Sequence, residues 1–235
     1  NEKTKNYSIT VNFGDLTATP RPVDFVTAKG EKIYDGLAFS LKEIQVSDGT
    51  PLVKGHKAVS SESEVDYFSE LTDVGSIENR GRLRKVTIKD GDGRDVSANY
   101  AVRNLFFGVL TVKPRPITIT TATKSWTYDD DYHSSAEYKE ISYRGPIAEG
   151  QSVKPLADGH TAVAVQNNST RVIDVGEYEN KAEFTIKDSS YYDVTANYDI
   201  ECVCGKLTIT PKTLNIVTYS AKKTYDRRRR NFDNL

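Results

Sequence analysis

Asp95-Val96-Ser97-Ala98-Asn99-Tyr100-Ala101-Val102, followed by Gly108-Val109-Leu110-Thr111 and then Pro114, comes back almost a hundred residues later. The second copy reads Asp193-Val194-Thr195-Ala196-Asn197-Tyr198-Asp199-Ile200, Gly205-Lys206-Leu207-Thr208, Pro211. A partial copy opens the chain as Asn6-Tyr7-Ser8-Ile9, Gly14-Asp15-Leu16-Thr17, Pro20. The prolines stand 94 and 97 residues apart. Self-similarity at a fixed period sets the architecture of a chain.

Working outward, each proline is followed by an alternating segment and then a Tyr-Asp pair: Tyr34-Asp35, Tyr128-Asp129 and Tyr225-Asp226. Gly55-His56-Lys57-Ala58 answers Gly159-His160-Thr161-Ala162, and Asp73-Val74-Gly75 answers Asp174-Val175-Gly176. The expected organisation is therefore two complete units, 20–113 and 114–210. Residues 1–19 read as closing strands of a preceding repeat, and 211–235 as opening strands of a following one. Each complete unit has the length of an ordinary single-core domain.

Apolar and polar residues alternate with period two at Val23/Phe25, Ile117/Ile119, Leu214/Ile216, Leu110/Val112, Leu207/Ile209, Tyr100/Val102 and Tyr198/Ile200. Strands with one buried face read this way. The expected fold class is all-β: tandem, mainly antiparallel β-sandwich (Ig-like) or β-grasp-like modules. Short helical turns are expected at 63–71 and 135–143. The junctions Thr19-Pro20-Arg21-Pro22 and Lys113-Pro114-Arg115-Pro116 hold no Gly/Ser tract. Proline fixes φ and biases its predecessor to extended forms, so the modules should join stiffly into an elongated rod.

Composition narrows the function. The 32 Lys+Arg and 33 Asp+Glu leave a formal net charge of -1, so no charge excess draws the chain to nucleic acid or an anionic membrane. No stretch approaches the roughly 18 apolar residues of a membrane span. Met is absent even at position 1, as expected of a processed piece with any signal or anchor outside it. Cys202 and Cys204, the only cysteines, are too close along one strand for an unstrained disulfide, and read as small core or edge residues.

Taken together, Asn-Tyr-x-Ile, Gly-x-Leu-Thr-x-x-Pro, Lys-x-Tyr-Asp-Gly, Gly-His-x-Ala and Asp-Val-Gly resemble the MBG/YDG family of mucin-binding-protein-related repeats. In the first unit the resemblance rests on Ile33-Tyr34-Asp35-Gly36, Gly55-His56, Asp73-Val74-Gly75, Asn99-Tyr100 and Gly108 to Thr111. The second carries it on Thr127-Tyr128-Asp129, Gly159-His160, Asp174-Val175-Gly176, Asn197-Tyr198 and Gly205 to Thr208. The resemblance implies tandem extracellular modules on large bacterial surface proteins. It implies no catalytic activity, no cofactor and no particular ligand. Asp130 and Arg227 replace Gly36 in the later copies, so the loop after Tyr-Asp is expected to differ between units.

Asp90-Gly91-Asp92-Gly93-Arg94-Asp95 opens like a calcium loop, but the twelfth position is Ala101 rather than Glu. It reads as a hairpin turn with Gly91 and Gly93 at positive φ. Asp129-Asp130-Asp131 with His133 reads as a solvated acidic loop, and no metal site is expected. His56 and His160 recur at matching positions, which argues for a structural role. No nucleophile elbow, phosphate loop or dinucleotide turn is present, and no enzyme is expected. Arg227 to Arg230 read as a solvated loop.

Trp126, the single tryptophan, replaces Lys32 and Lys223 of the flanking copies. With Tyr128, Tyr132 and Asp130 it forms the candidate glycan site; the rival reading is that Trp126 covers a junction between modules. Two functions follow: a non-catalytic stiff stalk on a bacterial cell surface, or an adhesin module binding host glycan or mucin through these aromatics. Expected partners are neighbouring repeats and, through the cut ends, head-to-tail strand pairing between copies.

Overall fold

The computed structural model describes residues 6–149, 151–222, 224 and 225, so Asp226 and the run Arg227 to Arg230 lie outside the described residues. The chain is all-β. The first unit contributes β1 (Arg21–Thr27), β2 (Gly30–Ile33), β3 (Ile44–Val46), β4 (Lys57–Ala58), β5 (Glu64–Phe68), β6 (Gly75–Glu78), β7 (Gly81–Lys85), β8 (Ile88–Lys89), β9 (Tyr100–Phe106) and β10 (Val109–Lys113). The second contributes β11 (Arg115–Thr121), β12 (Lys124–Thr127), β13 (Tyr138–Tyr143), β14 (Thr161–Ser169), β15 (Gly176–Asn180), β16 (Ala182–Lys187), β17 (Tyr198–Val203) and β18 (Gly205–Thr210).

One sheet order, β3-β1-β9, recurs as β13-β11-β17; another, β2-β10-β6, recurs as β12-β18-β15. Antiparallel pairs are the more numerous, as the alternation leads one to expect. Yet the opening strands of each unit pair in parallel with its closing strands: β1 with β9 and β2 with β10, then β11 with β17 and β12 with β18. A parallel partner must lie a long crossover away, which local patterning does not reveal.

Most of the alternating residues bury as their period requires, but Leu214 (81%) and Ile216 (80%) are exposed in a segment that forms no strand, and Val102 (46%) faces outward on β9. Val23, Phe25, Leu110, Val112, Ile117, Ile119, Leu207 and Ile209 are all at most 1% exposed. Ser63 to Leu71 is not helical: Glu64–Phe68 is a strand paired with β7, and Asp66 ion-pairs across it with Arg84 and Arg82. Ser135 to Tyr143 likewise ends in β13, which adds to β11. Cross-strand partners outweigh a weak helical propensity in both places. Among the described residues the 3-10 turns fall elsewhere, as at Ser60–Glu62, Ser97–Asn99 and Thr195–Asn197.

A buried polar knot explains the glycine of Gly-x-Leu-Thr. Gly108 N–H donates to Thr27 Oγ1 (3.0 Å), Thr27 Oγ1 donates to the Asn79 carbonyl (2.7 Å), and Asn79 Nδ2 donates to the Ala28 carbonyl (2.9 Å). Thr121, Asn180, Ala122 and Gly205 repeat the arrangement. Asn79 and Asn180 are wholly buried. A Cβ on Gly108 would lie 2.5 Å from the Thr27 carbonyl oxygen, and one on Gly205 2.5 Å from that of Thr121.

The apolar interior does not follow the proline boundaries. One cluster holds Val23, Phe25, Ile44, Ile88 and Tyr100 of the first unit. The next combines Tyr34 and Val112 of the first unit with Ile117, Ile119, Ala157, Ile186 and Tyr198 of the second. The last holds Val172, Leu207 and Ile209, with Trp126, Tyr128 and Tyr178 against them. The middle interior is thus built jointly by both units.

One local difference separates the units. Tyr100 and Gly108 are one residue farther apart than Tyr198 and Gly205. The register of β1 on β9 shifts between Val23 and Asp24 as a result. Asp24, buried beside the shift, accepts from both Arg103 and Asn104, and these donors hold its carboxyl below the usual range.

Candidate functional site, an interface between the units

The landmarks that define the repeat meet at the boundary between 113 and 115. Tyr34, directly after β2, packs into the interior that holds Ile117, Ile119 and Ile186 of the second unit. Its ring lies 5.6 Å from that of Tyr198, edge to face, and 5.9 Å from that of His160. The Tyr34 N–H donates to the Lys113 carbonyl (2.9 Å). Arg115 Nη1 donates to the Tyr34 carbonyl (3.0 Å), and Arg115 Nε to the Pro155 carbonyl (2.8 Å). Arg115, buried at 7% exposure and with its guanidinium held by carbonyl oxygens, clamps the corner in place.

A second contact uses the Asp-Val-Gly loop. Val74 N–H donates to Asn197 Oδ1 (2.8 Å), and Asn197 Nδ2 donates to Asp73 Oδ1 (2.9 Å). One amide side chain therefore reads both an N–H and a carboxylate of the other unit. Inside the second unit, the Ala157 N–H donates to Tyr198 Oη (3.1 Å), which also pairs with His160 Nδ1 (2.8 Å). His56 and Tyr100 make the same 2.8 Å pair in the first unit.

Burial sets the electrostatics of this interface. Desolvation raises the Tyr34 and Tyr198 hydroxyls above their ordinary value, and lowers the His160 imidazole, with Arg115 adding to the fall and Asp188 opposing it. A histidine lowered in the folded state takes up its proton more readily when unfolded. Its contribution to stability is therefore complete above the ordinary histidine value near 6.5 and is lost as pH falls from there through the lower folded-state value. Between pH 7.5 and 5, the unfolding midpoint of the native chain should fall more than that of His160→Gln. Paired thermal scans check this, and a wider fall in the variant would contradict the assignment.

The candidate glycan residues gather at the far corner of the second unit. Trp126 is half-buried and stacks on His133 with centroids 4.9 Å apart and planes 17° apart. His133 Nε2 meets Asp129 Oδ1 at 2.9 Å, which holds the Asp129 carboxyl below its usual range. Tyr128 donates to Asp130 Oδ1 (3.0 Å), and that bond raises the tyrosine. Tyr132 is 63% exposed, with the Arg171 guanidinium 4.8 Å from its ring.

The same corner of the first unit shows what Trp126 replaces. Lys32 bonds Asp35 and lies over the Phe39 ring at 5.8 Å. Phe39 bridges Leu71 as His133 bridges Val172. The aromatic ring and the donor to the aspartate have exchanged places: Lys32 and Phe39 in one unit, Trp126 and His133 in the other. The Tyr-Asp loop itself does not change, since Asp130 (φ 71°) adopts the left-handed conformation of Gly36 (φ 80°). Aspartate tolerates that region better than most residues.

Other candidates resolve as turn chemistry. Asp90 Oδ1 accepts from the N–H groups of Asp92 and Arg94, and Asp188 Oδ1 from those of Ser190 and Tyr192. Of the two turn glycines only Gly93 has positive φ, and Tyr191 (φ 67°) fills its position in the second unit. No group of three or more metal-ligating side chains occurs among the described residues. Cys202 and Cys204 are both exposed at the outer edge of the sheet rather than in a core.

Sequence reasoning missed Arg115, Thr27, Thr121, Asn79 and Asn180. The repeat carries the signal for the asparagines: each stands six residues after the Asp of Asp-Val-Gly. Comparison with family models, curated proteins and solved structures returns no match.

Proposed function

We propose that this chain is a non-catalytic spacer segment of a bacterial cell-surface protein, in which tandem β-sandwich-like modules stack into a stiff extracellular stalk. The observation that carries this reading is the interface at 113–115. Its contacts come from Tyr34, Asp73-Val74, His160, Asn197 and Tyr198, the residues that recur with the repeat. A motif retained to join copies accounts for its own recurrence. The resemblance to MBG/YDG repeats supports the extracellular setting, and the proline-bounded junction supports stiffness.

Spin labels at Lys85→Cys and Lys139→Cys, with Cys202 and Cys204 replaced by Ser, test it by pulsed dipolar spectroscopy. A single narrow distance distribution is expected. A broad one, typical of a flexible tether, would overturn the stalk reading. A glycan array with the native chain and Trp126→Ala addresses the rival: binding abolished by the substitution would make this an adhesin instead. Stacking on His133 already occupies one face of the indole, which favours the spacer.

A further inference from the structure

The interface between the two units has an open copy of each half. At the start of the first unit, Tyr100 accepts from the Val53 N–H (3.1 Å) and pairs with His56, as Tyr198 does with Ala157 and His160. Arg21 Nε donates to the Pro51 carbonyl (3.2 Å), as Arg115 does to Pro155. Asn99 and Arg21 are exposed where Asn197 and Arg115 are buried. What is missing is a tyrosine in the position of Tyr34.

The two arms carry the rest. Residues 7–20 and 211–222 form no strand, and Tyr7, Ile9, Leu16, Leu214 and Ile216 are each at least 71% exposed. The counterparts of four of them in the complete units are buried: Tyr100 and Tyr198; Leu110 and Leu207; Val23 and Ile117; Phe25 and Ile119; those of Ile9 are Val102, exposed, and Ile200, half-buried. The arms hold complementary parts, since 7–20 match β9–β10 and 211–222 match the opening of β1–β2. These are the strand pairs that join in parallel in both units. Tyr7 and Gly14 have the spacing of Tyr198 and Gly205, so the unshifted register applies.

We infer that the C-terminal arm of one copy of this chain pairs in parallel with the N-terminal arm of a second copy and seats Tyr225 between His56 and Tyr100 of that second copy. By the register of β11 on β17, Lys212 meets Tyr7, Leu214 meets Ile9 and Ile216 meets Val11. Arg21 then donates to the Tyr225 carbonyl, as Arg115 does to that of Tyr34. A head-to-tail contact of this kind does not close on itself, so the product is an open chain of copies.

Sedimentation velocity of the full chain over a concentration series is the first test. Association above the one-chain mass of 26.2 kDa is expected. Leu214→Lys with Ile216→Lys should abolish it, and Tyr225→Ala should weaken it about tenfold, as loss of a seated aromatic anchor does. All three side chains are exposed in the single chain, so the variants fold normally. In a Cys202→Ser, Cys204→Ser background, Ile9→Cys with Leu214→Cys should give a disulfide between copies, and Ile9→Cys with Asn215→Cys should not. A chain that stays monomeric, associates regardless of the lysines, or cross-links only within itself overturns the inference. A stiff monomer would do so while leaving the spacer reading in place.

Discussion

Tyr34→Ala is expected to destabilise the second unit, although the residue belongs to the first. The ring is 2% exposed and lies in the cluster that holds Ile117, Ile119 and Ile186. Truncating a fully buried aromatic removes about 3–5 kcal/mol, part of it from the cavity left behind. Chemical denaturation should show a lower midpoint for the shared interior, and the interspin distance distribution should broaden. The matched control is Tyr128→Ala. Tyr128 has the same place in its unit, and its N–H donates to Thr210 as that of Tyr34 does to Lys113. Among the described residues of the single chain no following unit covers it, and it is only half-buried, so its loss should be clearly smaller. Equal losses at the two positions would show that Tyr34 acts within its own unit and not across the boundary.

Gly108→Ala and Gly205→Ala should be as damaging, for a different reason. The added methyl would sit 2.5 Å and 2.6 Å from two carbonyl oxygens in each case. Neither oxygen belongs to a flexible side chain, so a strand must move. Moving it pulls the glycine N–H from Thr27 or Thr121 and opens the knot around Asn79 or Asn180. Overpacking together with broken buried hydrogen bonds should cost about 3 kcal/mol or more, read as a fall in the urea midpoint. Gly14→Ala supplies the contrast. Nothing lies within 4 Å of a Cβ there in the single chain, so at concentrations where the chain stays monomeric the same substitution should leave the midpoint unchanged.

The strands were the most legible part of the sequence, because period-two burial is written locally: Val23 and Phe25, or Leu207 and Ile209, announce a buried face by themselves. The parallel pairing of β1 with β9 was not, since its partners stand about eighty residues apart and nothing near either strand names the other. The interface was half visible. The recurrence of His56 and His160 pointed to a structural role, and the structure gives each a tyrosine hydroxyl. That Asn197 would reach Asp73 and Val74 could not be read, because the contact spans more than a hundred residues. The segment at Ser63 reads locally as a helical turn because its stabilising partners, Arg82 and Arg84, lie on a strand whose position the sequence does not give.

The shared middle interior has a consequence for any array of these units. If every interior is half donated by a neighbour, the terminal units are always the weakest, each keeping one side uncovered. Melting temperature should then climb with copy number and level off, as in a one-dimensional lattice with nearest-neighbour coupling. An array of this design requires a dedicated cap at each end.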